Sequence, residues 1–455
     1  LRGDDLLGCP SMTTTYDPQH QLYLDEADVR AETTRVFDVC GSCRKCVSLC
    51  GVFPSLFELL DRSAATSAQP DAGMMTPDEQ DTVAGECSQC KLCAIGCPHT
   101  LDSVSGAVDV DMPRLMLRTT AMRADVGLTS MRSRVATQLM GRSTAVGRIS
   151  SVAAPLVNRF VESPPDSIVR RVAAKATGIS AVRLLSPFAR ERFTTWFAQR
   201  PRIRLGDAQG KVTIFPTCIV DYHEPNIGKD LVKVYERNGI ECDVSAAGCC
   251  GAPWLQGGDV ERFAAIADKN VKILAREIRS GTEVVVPQPT CAYVLKRDYV
   301  NYVTSPARRA DAELVAEHTF DASEYLMRLH RADESVLDTD FEPDTARRAT
   351  YHVPCHTRAQ EIGFAGRDLL QLTGARVRTI QGCSGANGVW GLSAEHEESS
   401  LAQARQLGER IEETRPVLVV GDCHRANTAI VEQTGGAVTH PMQALARAYG
   451  IPPEL

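Results

Sequence analysis

Eight cysteines near the amino end make the strongest chemical signal in the chain. They fall in two runs, Cys40-Gly41-Ser42-Cys43-Arg44-Lys45-Cys46-Val47-Ser48-Leu49-Cys50 and Cys87-Ser88-Gln89-Cys90-Lys91-Leu92-Cys93-Ala94-Ile95-Gly96-Cys97-Pro98, each spaced C-x2-C-x2-C-x3-C. Three thiolates two residues apart can wrap three corners of a [4Fe–4S] cubane, whose irons need soft ligands. The fourth, on a following turn, faces the other cluster in two-cluster ferredoxins. The spacing therefore gives Cys40, Cys43, Cys46 and Cys97 to one cubane and Cys87, Cys90, Cys93 and Cys50 to the other. Gly51 stands where a proline normally follows such a run, a departure that bears on this cross-ligation. Two structural four-cysteine zinc sites are the bland alternative, and they favour separated C-x2-C knuckles over three cysteines in one turn.

Further along, Cys218 follows Phe215-Pro216-Thr217, Cys249 and Cys250 lie between Gly248 and Gly251, and Cys291 follows Pro289-Thr290. A later set repeats this as Val353-Pro354-Cys355-His356, Gly382-Cys383-Ser384-Gly385 and Gly421-Asp422-Cys423-His424, with Ser384 in the place of Cys250. Each falls just after a strand pattern. Loops at the carboxyl ends of parallel strands converge on one crevice, so Cys218, Cys249, Cys250 and Cys291 can meet at one metal centre. Cys355, Cys383 and Cys423 leave either a three-cysteine centre completed by another ligand or a degenerate site. A lone cysteine is more often a small buried hydrophobe, the reading kept for Cys242 inside a strand pattern. His356 and His424 adjoin cysteines; an exposed loop polar group is the commoner role for such a residue, and a ligand or proton carrier the alternative. His318 and His440 read as strand-end hydrogen-bonding residues.

The elements that must position these thiols show in the hydrophobic pattern. From Lys211 onward short β-rich runs alternate with helical ones, as in a parallel-sheet α/β domain. Strands are expected over 212–215, 241–244, 283–286, 349–353, 376–380 and 417–420. Helices are expected over 229–237, 260–278, 292–299, 366–372, 395–411 and 425–432. Cys218, Cys249 and Cys291 recur as Cys355, Cys383 and Cys423 at offsets of 137, 134 and 132 residues, so two similar modules lie in tandem. His318 pairs with His440 in the same repeat, each module closing on a strand and a helix. The linker between the first two cysteine runs is helical around Leu56 to Leu60, which favours a helical ferredoxin over a small hairpin one.

The expected fold class is multidomain α+β. It comprises a tail over 1–25, a helical two-cluster ferredoxin-type domain over 26–113, an Arg-rich helical linker over 114–205, and cysteine-rich modules over 206–335 and 345–455. The 455 residues agree with roughly three domains at about 150 residues each. Hydrophobic residues at 43% and charged ones at 24% exclude wholesale disorder, collagen-like repeats and a membrane-spanning bundle. The net charge of -7 argues against a general nucleic-acid binder, yet Arg114 to Arg204 holds sixteen arginines and one lysine against four carboxylates. The 17 cysteines follow no secretory segment and should be reduced, hence available as ligands. Residues 1–11, with Cys9, read as a non-standard start ahead of Met12. No G-x-G-x-x-G after a strand, Walker A sequence or G-x-S-x-G elbow is present, and Gly257-Gly258 reads as a turn.

The stretches His352-Val353-Pro354-Cys355-His356, Cys383-Ser384-Gly385-Ala386-Asn387-Gly388-Val389-Trp390-Gly391, Thr434-Gly435 and Thr439-His440-Pro441 resemble a known family. It is that of the iron–sulfur C subunit of anaerobic glycerol-3-phosphate dehydrogenase and its cysteine-rich (CCG-domain) relatives, including heterodisulfide reductase subunits and lactate-utilisation proteins. The resemblance runs roughly from Val36 to Gly450. It implies one helical two-cluster ferredoxin domain and two CCG modules, with electrons passing between a partner flavoprotein dehydrogenase, or another redox subunit, and quinone or another acceptor. It also implies that Ser384 belongs to the glycerol-3-phosphate dehydrogenase branch, and that the modules hold a non-cubane iron–sulfur cluster, zinc or nothing. An electron-transfer subunit is the leading expectation, with a cytoplasmic location. Under it, the Arg-rich helices lie peripherally on the inner face of the cell membrane or dock an acidic partner. A heterodisulfide or thiol reductase acting through Cys249 and Cys250, and a zinc-bound assembly scaffold, are the alternatives.

Overall fold

The computed structural model describes residues 16–64, 71–100, 109–201, 203, 208–342 and 348–454; the expected non-standard start over 1–11 lies outside them. The amino-terminal part is helical, as the linker pattern predicts. Helix α1 (Glu26–Cys43) starts where the Asp25 carboxylate accepts from the Asp28 N–H at 2.9 Å, and stops at Arg44, whose φ of 51° turns the chain sharply toward Cys46. Helix α2 (Val52–Ala64) aligns Val52, Phe53, Leu56 and Leu60 on one buried face. Helix α3 (Pro77–Gly85) opens with a reciprocal Thr76–Glu79 capping box. Their apolar faces form one core with Phe37, Val83 and Leu115, and Cys40, Cys46, Cys50, Cys87 and Cys93 pack against it. Each fully buried Leu or Phe there contributes about 1.5–3 kcal/mol. Gly41 lets α1 and α2 close, since a Cβ at this position would come within 2.6 Å of Leu60 Cδ1.

The Arg-rich stretch folds into short helices: α4 (Met112–Asp125), α5 (Met131–Gly141), α6 (Ser143–Val152), α7 (Ala154–Val161), α8 (Ile168–Thr177) and α9 (Phe193–Gln199). Its charge is not all solvated. Arg118 is fully buried, donating to the Tyr23 and Leu22 carbonyls at 2.9 and 2.6 Å and pairing with Asp28. Arg170 donates to the Arg183 carbonyl at 2.6 Å, and buried Arg183 pairs with Glu432 at 3.1 Å, tying the stretch to the second module.

Each cysteine-rich module is built on a four-stranded parallel sheet. The first has β1 (Gly210–Ile214), β2 (Ile240–Val244), β3 (Glu283–Val286) and β4 (Thr319–Asp321) in the order β2-β1-β3-β4. The second has β5 (Arg348–Val353), β6 (Arg376–Gln381), β7 (Leu418–Gly421) and β8 (Val438–Thr439) in the order β6-β5-β7-β8. The shared order is that of a duplication. Ile214 pairs with Val244 and Val285 on its two sides, and His352 with Ile380 and Gly421. Runs such as Val284-Val285-Val286 are fully buried, which fits parallel strands covered on both faces.

One detail of the repeat differs from the sequence pattern. His318 precedes β4 and bonds Glu283 through Nδ1 at 2.8 Å, whereas His440 follows β8 and caps the closing helix Pro441–Ala448. The counterpart of His440 is Asp321, which caps the helix Ala322–Ala332. Asp321 N–H donates to Glu324 at 2.9 Å and His440 N–H to Gln443 at 3.0 Å. Matching by residue type aligned a histidine before one strand with a histidine after the other. Both do form strand-end hydrogen bonds, His440 Nδ1 accepting from Met442 N–H at 3.2 Å.

Candidate metal centres

The two amino-terminal runs interleave around two adjoining cavities. One is lined by Cys40, Cys43, Cys46 and Cys97, with Phe53, Phe57 and Val110 among its walls. The other is lined by Cys50, Cys87, Cys90 and Cys93, with Phe53, Met112 and Met116. Each thus draws three thiols from one run and one from the other, and the Phe53 ring stands between them. Neither wall contributes a carboxylate among the described residues. Burial, then the neighbouring thiols, pushes Cys40 up to about 12; burial pushes Cys87 up to about 11 and raises Cys50 and Cys93 as well. Thiols so placed become thiolates only when a cation joins them, and four soft donors in an apolar pocket fit an iron–sulfur centre. Among the described residues, no three His, Cys, Asp or Glu side chains gather as they would around one metal ion.

The loops that carry these thiols are held in uncommon backbone conformations. Arg44, Gln89 and Lys91 have φ of 51°, 59° and 64°. Such left-handed non-glycine residues cost roughly 1–3 kcal/mol each. Local contacts offset this: the Arg44 guanidinium lies 5.0 Å over the Phe57 ring and pairs with Asp61, while Lys91 Nζ donates to Gln89 Oε1 at 2.8 Å.

Cys218, Cys249, Cys250 and Cys291 of the first module and Cys355, Cys383 and Cys423 of the second all line one further cavity of about 100 Å3. A single water needs about 10–15 Å3 by such a measure, so the space suits a polyatomic centre. The sequence places each set at the carboxyl ends of its own strands, as observed. It does not foretell that the two crevices face one another. Cys218 and Cys355 open the short helices after β1 and β5, and Cys423 caps the helix after β7. The glycine of each second loop has a definite task. Gly251 and Gly385 take φ of 84° and 62°, turning their N–H groups onto Cys249 Sγ at 3.5 Å and Cys383 Sγ at 3.4 Å. A Cβ on Gly385 would lie 1.9 Å from the Ser400 carbonyl oxygen. Cys250 Sγ lies 3.3 Å from Cys291 Sγ. The hydrogen bond from Cys218, then that from Cys250, holds Cys249 well below the usual thiol range. Cys242 is buried in β2 and does not line the cavity.

The second amino-terminal quartet lies close to this cavity, the turn Leu92–Ala94 packing against the helix Cys355–Ala359. Cys90 is the leading charged neighbour acting on both Cys355 and Cys383. The loop after Cys383 reaches the same place, Asn387 donating to the Ser88 carbonyl and Trp390 Nε1 to the Gly85 carbonyl at 2.9 Å.

Residues 8–102 match the 4Fe-4S dicluster domain, and residues 212–296 and 349–427 each match the cysteine-rich CCG domain. The chain is 27% identical over 316 residues to the C subunit of anaerobic glycerol-3-phosphate dehydrogenase from Escherichia coli (strain K12), covering 68% of this chain and 76% of that one. It is 30% identical over 188 residues to lactate utilization protein A of Bacillus cytotoxicus, covering 40% of this chain and 74% of that one. Lactate utilization protein A of Geobacillus thermodenitrificans is 31% identical over 147 residues, 32% of this chain and 57% of that one. The chain belongs to the CCG-domain iron–sulfur family that includes the glycerol-3-phosphate dehydrogenase C subunit and lactate utilization protein A. It is therefore an iron–sulfur, metal-binding protein of oxidoreductase electron transport, with a ferredoxin-type domain and two CCG repeats.

In this CCG-domain protein the histidines beside cysteines are withdrawn from solvent, His356 buried and His424 half-buried, contrary to the exposed-loop expectation. His356 Nδ1 meets Thr290 Oγ1 at 3.1 Å, and its ring donates to the Gln89 backbone carbonyl. His424 Nε2 meets Ser186 Oγ at 2.8 Å. Burial drives both to about 3, so they are neutral. Among the lining residues to which the sequence pattern gives no role at the site are Arg425 and His352. Arg425 is one residue past the His424 that drew attention, and His352 looks like an ordinary strand residue until β5 is seen to end at the cavity.

Proposed function

We propose that this chain is the electron-transfer subunit of an oxidoreductase complex, working between a partner flavoprotein dehydrogenase and quinone or another acceptor. Cys40, Cys43, Cys46 and Cys97 would hold one [4Fe–4S] cubane and Cys87, Cys90, Cys93 and Cys50 the other, while Cys218, Cys249, Cys250 and Cys291 of the first module and Cys355, Cys383 and Cys423 of the second would hold further iron–sulfur centres. Such centres supply storage of single electrons at thiolate-bound iron. The supporting observation is the succession of thiol-lined cavities: the first two share Phe53, and the second adjoins the third where the turn Leu92–Ala94 packs against the helix Cys355–Ala359. Phe53 lines both of the first two, and backbone N–H groups aimed at Cys249 and Cys383 stabilise thiolate there. A relative named as one subunit of a dehydrogenase supports a redox partner for this chain. The same reading divides the chain at 26–113, 114–205, 206–335 and 345–455.

Peripheral attachment to the anionic inner face of the cell membrane completes the proposal. Helices α6 to α8 leave Ile149, Val152, Leu156 and Ile168 between 71% and 89% exposed, beside exposed Arg148, Arg159 and Arg171. An apolar face rimmed by arginine suits an interfacial helix. Among the described residues, no helix is long and apolar enough to cross a membrane. The deciding experiment is low-temperature electron paramagnetic resonance with iron and acid-labile sulfide analysis on anaerobically prepared protein. Two interacting cubane signals and further iron–sulfur signals from the modules are expected; colourless protein, or zinc alone, would overturn the proposal.

A further inference from the structure

The second module lacks one thiol, and the shared cavity offers a replacement donor. Counting back three residues from the first-loop cysteine gives Phe215 in the first module and His352 in the second. In both modules the residue just before that cysteine caps a short helix, Thr217 and Pro354, so Phe215 and His352 are equivalent positions. Phe215 is fully buried in the first module's core, and that module carries Cys250 in its second loop. The second module has the opposite pairing, His352 with Ser384. One module spends the position on packing and has four thiols; the other puts an imidazole there and has three.

The state of His352 fits a ligand waiting for its metal. The side chain is 1% exposed and lines the cavity with Cys355, Cys383, Ser384 and Cys423. Nε2 lies 3.1 Å from the Gly382 carbonyl oxygen, which can only accept, so Nε2 carries the proton and Nδ1 a lone pair. Nδ1 is buried with no hydrogen-bond partner among the described residues. A buried acceptor left without a partner is costly, so this nitrogen calls for one. An imidazole fixed through one nitrogen by a backbone carbonyl, with the other free, is the usual arrangement of a metal-binding histidine. His356 Nδ1 already meets Thr290 Oγ1 at 3.1 Å as well as lying 3.7 Å from Cys355 Sγ, its ring also bonds the Gln89 backbone, and His424 Nε2 meets Ser186 Oγ at 2.8 Å. Ser384 Oγ accepts from the Ala386 N–H at 3.4 Å.

We propose that Nδ1 of His352 is the fourth ligand of the second module's iron–sulfur centre, beside Cys355, Cys383 and Cys423. This rests on the iron–sulfur reading of the modules given above. A neutral imidazole in place of a thiolate removes one negative charge and raises a centre's potential, as in Rieske-type ligation. The second module would then be the more oxidising of the two, and it is the one whose helix Cys355–Ala359 packs against the turn Leu92–Ala94 of the second amino-terminal run.

The test is pulsed electron paramagnetic resonance on the reduced full-length protein, grown with natural or 15N-labelled histidine. Serine at Cys383 first identifies the signal that belongs to the second module. That signal is expected to show a strong imidazole nitrogen coupling that changes with the label, vanishes in His352→Cys and persists in His356→Gln. His352→Cys should keep the wild-type iron content, and unchanged amino-terminal cubane signals report that the variant folds. A Cys383-dependent signal without histidine nitrogen coupling, or one that keeps the coupling in His352→Cys, overturns the ligand assignment alone. If Cys355→Ser and Cys383→Ser leave iron and sulfide unchanged, the iron–sulfur reading of the modules falls and the ligand with it.

Discussion

Trp390 Nε1 donates to the Gly85 carbonyl across 2.9 Å, joining the second module's cysteine loop to the chain just ahead of Cys87. The ring also stacks on His396 with centroids 5.2 Å apart, and Asn387 bonds the Ser88 carbonyl. Trp390→Phe keeps an aromatic ring but deletes the donor, worth about 0.5–1.5 kcal/mol net. A loosening of about 1 kcal/mol is roughly fivefold in the docked population. The variant should retain full iron content yet pass electrons from the amino-terminal clusters to the modules a few-fold more slowly in stopped-flow reduction. An unchanged rate would show that this contact does not hold the route together.

The interleaved cavities predict which cysteines fail together. Cys97 lies with Cys40, Cys43 and Cys46, and Cys50 with Cys87, Cys90 and Cys93. Replacing Cys40 and Cys97 by serine in one protein should therefore remove a single cubane, about four irons. Ligation within each run would make the same double variant strike both cubanes and remove about eight. Iron analysis with spin counting distinguishes the two.

The quartets were legible because iron–sulfur ligation is written in short spacings, and the strands were legible because parallel sheets need unbroken apolar runs such as Val284 to Val286. The common cavity of the seven CCG cysteines was not. It depends on how two modules face each other, which no local pattern encodes. Arginine composition was equally mute about place: Arg118, Arg170 and Arg183 are buried against carbonyls or carboxylates, while Arg148 and Arg159 stand in solvent. The histidines misled because a place beside a cysteine does not leave a nitrogen free; Thr290 and Ser186 engage His356 and His424, and strand-borne His352 keeps Nδ1 without a hydrogen-bond partner among the described residues.

Arg425 predicts a shift in potential. It lines the module cavity, where the Cys218 and Cys423 thiols act on it electrostatically. Burial lowers its pKa and the thiols oppose this. A cation there favours the reduced, more negative state of whatever the thiolates bind. Arg425→Gln should lower the midpoint potential of the module centre and leave the amino-terminal cubanes unmoved, with Arg425→Lys in between. Potentiometric titration followed by spin resonance reads this directly; a shift shared by all centres would point to a general structural effect.

Buried Asp321 predicts a pH dependence of stability. Its Oδ2 accepts from Gln360 Nε2 at 2.9 Å. Burial, with Glu324 and Asp422 nearby and Lys296 opposing, pushes its carboxyl up to about 8. The folded state thus keeps a proton that the unfolded chain releases above about pH 4. Stability from this group is full at low pH and is lost as pH rises toward 8, by roughly 2 kcal/mol between pH 6 and pH 8. Asp321→Asn cannot titrate, so its thermal midpoint should decline less than that of the wild type over that range. Parallel declines would exclude Asp321 as the source.

The exposed face of α6 to α8 makes the membrane proposal quantitative. Val152 is 89% exposed and Leu156 71%, and burying two such side chains at a bilayer interface gains about 3–6 kcal/mol at most. Arginine attraction to anionic lipid adds about 1 kcal/mol per residue near the surface and is screened by salt. Binding to phosphatidylglycerol vesicles should therefore be clear at low salt, weaken as salt rises and be absent on neutral phosphatidylcholine. Val152→Asp with Leu156→Asp should abolish flotation while cluster signals stay intact, because neither side chain touches a cysteine loop. Flotation that survives this double substitution would assign the attachment to another surface, and no flotation of the wild type at low salt would leave the arginines facing a protein partner instead.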